Sequence, residues 1–94
     1  MYYHSVIFDL NSGLDEKSFF DEAKSVLPGI EGVKNFKISS QVSPKNDYAY
    51  CFSMEFDSKA AFEAYAASPV HCDFVARRWD TEVSRFLEID LEEM

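Results

Sequence analysis

Three side chains could carry acid–base chemistry on a small molecule: His4, Tyr65 and His71. An imidazole titrates near neutrality, and a phenol can polarise a carbonyl or hold an enolate by donating its hydroxyl hydrogen. Tyr65 and His71 stand six residues apart with Ser68-Pro69 between them. In one straight helix they would lie about 120° apart around the axis and could not serve one ligand. Pro69 removes that obstacle. The residue before a proline disfavours helical geometry, and Ser-Pro is a helix start with Ser as cap and Pro as first residue. His71 then occupies the first turn of a new helix. The positive helix end and burial beside Phe74 both disfavour the imidazolium there. A neutral imidazole suits a general base, and it suits equally a residue that seals the helix start by local hydrogen bonds. His4 lies on the apolar face of an alternating segment, either as a hydrogen-bonded core residue or as an assistant in proton transfer. Tyr65 has the same two readings.

Other chemistry finds less support. His4 and His71 with Asp73 form an incomplete ligand set, because Asp73 should point away from His71 on the helix; no metal is expected. Gly29 and Gly32 close a helix rather than open one, so no phosphate loop is present. Nothing calls for a cofactor. Cys72 follows His71 directly, and adjacent residues diverge on a helix, which argues against a Cys-His nucleophile.

The elements that must position these groups follow from hydropathy. Tyr2 to Leu10 alternates, with His4, Val6 and Phe8 on one face. Asp15 caps a helix carrying Phe19, Phe20, Ala23 and Val26, which Pro28-Gly29 ends near Leu27. Val33 to Val42 and Tyr48 to Phe56 read as strands two and three. Asp57 or Ser58 caps a helix with Phe62 and Tyr65, followed by the short helix from Pro69. Val83 to Leu91 is the last strand, with Leu87, Ile89 and Leu91 on one face. The loop between strands two and three is too short for a crossover helix. The order predicts an α+β fold, a ferredoxin-like βαββαβ sandwich with its second helix split, in a single domain over residues 1–94. Helices would cover one sheet face. The other would carry Tyr3, Ile7, Ala49, Cys51 and Phe86, an apolar surface that a second copy would cover: a homodimer through the helix-free face. Between sheet and helices, His4, Tyr50, Tyr65 and His71 could meet in a space lined by Val6, Phe8, Phe20, Phe52 and Phe74, the form of a small-molecule site.

Composition narrows the field. Nine basic against 17 acidic residues give a net charge of -8, which leaves no cationic field for nucleic acid or an anionic membrane. No run of 18 apolar residues occurs, the start lacks a signal-peptide pattern, and two cysteines are too few for a disulfide framework; a reducing, cytoplasmic setting is expected.

Several stretches resemble the stress-responsive A/B barrel (Dabb) family of dimeric α/β barrels. They are Tyr3-His4-Ser5-Val6-Ile7-Phe8, Leu27-Pro28-Gly29-Ile30, Asp47-Tyr48, Phe56-Asp57-Ser58 and Ala64-Tyr65-Ala66-Ala67-Ser68-Pro69-Val70-His71. The Tyr followed six residues later by His is the most specific feature; Ser68 stands where the family often has His. The resemblance implies a dimer whose sheets pack face to face into an α/β barrel. A plant polyketide cyclase similar to this family uses a Tyr and a His at positions matching Tyr65 and His71, with a pocket His matching His4. A further pocket His of that cyclase falls on Tyr50. Three functions stay open: a cofactor-free acid/base enzyme on a small apolar carbonyl compound (cyclase-, isomerase- or lyase-like), a dimer that sequesters such a ligand, and a stress-related structural dimer.

Overall fold

The computed structural model describes residues 1–94 as one four-stranded antiparallel sheet with a helical layer on one face. Strand β1 (Tyr2–Leu10) is central, and the sheet order is β2-β3-β1-β4, the arrangement of the expected ferredoxin-like fold. Helix α1 (Glu16–Val26) starts at Asp15, whose carboxylate accepts the Ser18 N–H, and ends in the 3-10 turn Leu27–Gly29. Pro28 has no N–H to continue the helix. Strand β2 (Lys34–Ser40) is shorter than the alternation suggests. Its register slips between Lys34 and Lys37, where Asn35 adopts φ 54°. Strand β3 (Tyr50–Phe56) begins two residues late for a visible reason: the Ala49 N–H is taken by the Asp9 carboxylate and the Tyr48 N–H by Asn46.

Helix α2 (Lys59–Ala67) is capped by Ser58 rather than Asp57. Ser68 then turns to φ -58°, ψ 135°, and α3 (Pro69–Phe74) begins, with the Ser68 hydroxyl accepting the Val70 N–H. The break is the steric demand of Pro69 on its predecessor. The helical path runs on further than the sequence suggested, through a wide π-type turn (Val75–Trp79) and a last turn (Asp80–Glu82), before β4 (Val83–Glu92). The wide turn brings Trp79 against Phe8, with ring centroids 4.9 Å apart.

The core lies between sheet and helices. Phe8 from β1 has no exposed surface and touches Phe19, Phe52 and Trp79 within 6 Å between ring centroids. The β1–β4 register pairs His4 with Asp90, Val6 with Glu88 and Phe8 with Phe86. Phe86 therefore faces the helices, where it meets Trp79 edge-on at 5.5 Å, and not the helix-free side expected for it. The helix-free side carries Leu87, Ile89 and Leu91, which are 49%, 38% and 57% exposed, next to Ile7, Ser5 and Tyr3.

Because Phe8 joins α1, β3 and the wide turn, truncating it leaves a cavity that no single element can close. Phe8→Ala is expected to lower unfolding free energy by about 3–5 kcal/mol, read from urea titration midpoints. A loss below ~1 kcal/mol would show that the ring is not central.

Candidate active site

The break at Ser68-Pro69 lets α3 fold back so that its first turn faces the last turn of α2. The Tyr65 and His71 rings lie 4.6 Å apart between centroids. His71 Nδ1 donates to the Ala66 carbonyl at 3.0 Å, which leaves Nε2 as the nitrogen with a free lone pair. Burial holds His71 below the usual imidazole pKa; the nearby His4 adds to this and the Ala66 carbonyl opposes it. The lowering agrees in direction with the expectation from burial and the helix end, and desolvation is the largest of its causes here. Tyr65 is 3% exposed, and burial raises its phenol well above the ordinary value, with the Glu88 charge acting the same way. It is a hydroxyl donor at every ordinary pH.

His4 is held from the other side. Its imidazole lies 4.8 Å from the Phe62 ring and 6.2 Å from Tyr65, and Nδ1 hydrogen-bonds Asp90 Oδ1 at 2.5 Å, with Glu88 Oε2 at 3.6 Å. An ionised Asp90 accepts only, so Nδ1 carries the hydrogen. Asp90 sits below the ordinary carboxylate range: burial opposes this, but hydrogen bonds from Glu88 and His4 outweigh it. Glu88 is raised to about 7 by its hydrogen bond to Asp90, by partial burial and by the Asp90 charge. Of the two neighbouring carboxyls, Glu88 is therefore the one that keeps its proton longer as pH rises.

These groups meet on a half-open cavity of about 230 Å³. His4, Tyr65 and His71 line it, as do the expected Val6, Phe52 and Phe74. Tyr50, Phe8 and Phe20 do not. The Tyr50 hydroxyl is turned to α1 and donates to Glu16 at 2.8 Å. Phe8 is sealed in the core, and Phe20 packs edge-on against Tyr50 at 5.0 Å and borders a separate shallow recess. In their place the cavity has Leu27, Met54, Trp79 and Phe86. Its acidic members, Glu88 and Asp80, were also not anticipated. Strand parity could have found Glu88 and Asp90: once Leu87, Ile89 and Leu91 belong to the helix-free face, their neighbours must face the helices.

Asp73 points away from His71 and pairs with Arg77 at 2.8 Å. The group dimensioned for a cation is instead His4, Glu88 and Asp90, whose donor atoms lie within 4.8 Å of one another.

A sequence model described as "Stress responsive A/B Barrel Domain" matches residues 3–93. A search of curated protein sequences gives no match. Among solved structures, a Dabb family protein with a ferredoxin-like fold from Mesorhizobium loti is 44% identical, with a TM-score of 0.93 over 99% of this chain and 96% of that one. A dimeric ferredoxin-like protein of unknown function from Jannaschia sp. is 27% identical, with a TM-score of 0.73 over 98% of each chain. The hydroxynitrile lyase from Passiflora edulis is 16% identical, with a TM-score of 0.77 over 99% of this chain and 94% of that one, a likeness of fold.

The Glu88 proton has a consequence for stability. A carboxyl whose folded pKa lies above its unfolded one stabilises the fold fully below the unfolded pKa of 4.5, and the contribution is lost as pH rises through about 7. Glu88→Gln cannot ionise. Its melting temperature relative to the wild type is expected to be higher at pH 8 than at pH 5, by thermal unfolding followed by circular dichroism. An unchanged difference between the two pH values would contradict the raised Glu88 pKa.

Proposed function

The chain belongs to the stress-responsive A/B barrel (Dabb) family, and from its site we propose that it binds a small, mostly apolar carbonyl compound between sheet and helices and moves a proton on it without a cofactor. The observation that carries this is the 4.6 Å approach of Tyr65 to His71 at one cavity, with His71 Nδ1 already engaged. The Tyr65 hydroxyl donates to the ligand's carbonyl oxygen and stabilises the charge that develops there. His71 Nε2, neutral at pH 7, takes a proton from the adjacent carbon and returns it in the reverse step. His4, oriented by Asp90, offers its remaining ring nitrogen to the same space. The volume suits a single ring with a short substituent, since a cavity of about 150 Å³ already holds benzene. The Passiflora edulis neighbour is a lyase, so the fold accommodates lyase chemistry.

The test is deuterium exchange at the α-carbon of a small enolisable ketone such as acetophenone in D2O, followed by NMR. Tyr65→Phe and His71→Ala are each expected to slow the protein-catalysed exchange by about 100-fold or more while the ketone still binds. Binding with no exchange in the wild type would leave a sequestering dimer. No binding would leave the structural one.

The same reading includes a homodimer. Leu87, Ile89 and Leu91 extend the helix-free surface expected from Tyr3, Ile7, Ala49 and Cys51, and a relative such as the Jannaschia protein is described as dimeric. A second copy placed on this face removes the apolar patch from water. No helix is long and apolar enough to cross a membrane, and two free thiols suit a reducing, cytoplasmic setting. Light scattering at micromolar concentration is expected to give twice the chain mass for the wild type and a shift towards the chain mass for Ile89→Asp. A monomeric wild type would contradict the interface.

A further inference from the structure

Every ionisable side chain on the cavity wall is a carboxyl, an imidazole or a phenol, and none is Lys or Arg. Asp80 and Glu88 face the space directly, and Asp90 stands behind Glu88 at the His4 imidazole. The guanidinium groups on the adjoining wide turn are already committed: Arg77 pairs with Glu22 and Asp73, and Arg78 with Glu22 and Glu82. A ligand carboxylate or phosphate would therefore meet like charge without a cationic partner. The wall has the opposite need. The ligating atoms of His4, Glu88 and Asp90 lie within 4.8 Å of one another, so two carboxyl groups are crowded together on this wall. Two carboxyls so close, on a wall without Lys or Arg, favour one positive charge beside them. Trp79 and Phe86 line the same cavity and offer apolar surface to the rest of a ligand.

We propose that the ligand of this cavity carries a protonated amine, seated on the Glu88 and Asp90 carboxylates beside His4, with its apolar body against Phe52, Phe74 and Trp79. The inference rests on the carbonyl-binding reading above and narrows its ligand to amine-bearing compounds. The ammonium offsets one of the two carboxylate charges, and any proton held by Glu88 passes to solvent as it binds, so charge balances. The amine then lies on the β4 side of the cavity, and the carbonyl is left to Tyr65 and His71 on the helical side.

Three probes of one ring size separate the possibilities: benzylamine, benzyl alcohol and benzoate, titrated at pH 7 by ligand-observed NMR and calorimetry. Benzylamine is expected to bind about tenfold more tightly than the alcohol, the lower end of what a charged hydrogen bond contributes, and benzoate most weakly. Glu88→Gln, with its fold checked by circular dichroism, is expected to erase the difference between amine and alcohol. If the alcohol binds as tightly as the amine, or the preference persists in Glu88→Gln, the amine assignment falls while the cavity reading stands. If none of the three binds, both fall. A parallel titration with Zn2+ completes the test. Zn2+ binding that His4→Ala abolishes, with no preference for the amine, would assign the cluster to a divalent cation and overturn the proposal.

Discussion

Pro69 cannot be accommodated behind a helical residue, and the site depends on that steric fact. Its ring pushes Ser68 to an extended conformation, which ends α2 at Ala67, two residues after Tyr65, and starts α3 in a new direction. The cost to the backbone is small, because the Ser68 hydroxyl satisfies the Val70 N–H and the Ala66 carbonyl finds His71 Nδ1. Each local repair also does something for the site. The bond to Ala66 fixes the tautomer of His71, and the redirected helix brings its ring over Tyr65. Without the break, the same two residues would lie on different faces of one rod.

Around this pair the environment drives protonation states apart. Burial pushes the Tyr65 phenol up and the His71 imidazole down, so a hydroxyl donor and a proton acceptor coexist at neutral pH. Across the cavity, proximity does the same to two carboxyls: Asp90 is held ionised by its hydrogen bonds, and Glu88 keeps a proton to about pH 7. Groups of one kind with separated titration are a mark of acid–base sites. Here the separation follows from fold geometry. His4 and Asp90 are direct cross-strand partners, and Glu88 lies two residues along the same face.

Much of this was legible from residue types alone. Period-2 alternation fixed which face of β1 carries His4, and Ser-Pro marked the helix break that joins Tyr65 to His71. The strand ends were less legible, because side chains took the ladder's place: Asp9 and Asn46 engage the N–H groups of Ala49 and Tyr48, so β3 starts at Tyr50. Tyr50 looked like a pocket residue by its face, yet its long side chain reaches sideways to Glu16. The acidic wall was missed because β4 has apolar residues on one face and charged ones on the other. The usual rule sends charges to solvent, whereas here the apolar row Leu87, Ile89 and Leu91 is the outer one. A strand whose outer face is apolar reverses the rule, and only the pairing register with β1 reveals it.

The account stands on His71 being neutral, with its hydrogen on Nδ1 and its lone pair turned to the cavity. Long-range nitrogen-15 NMR of the imidazole rings across a pH titration reads both properties at once. The account predicts a neutral Nδ1–H tautomer at pH 7 and a midpoint below the ordinary 6.5. An Nε2–H tautomer, or a ring that titrates at or above 6.5, would contradict it.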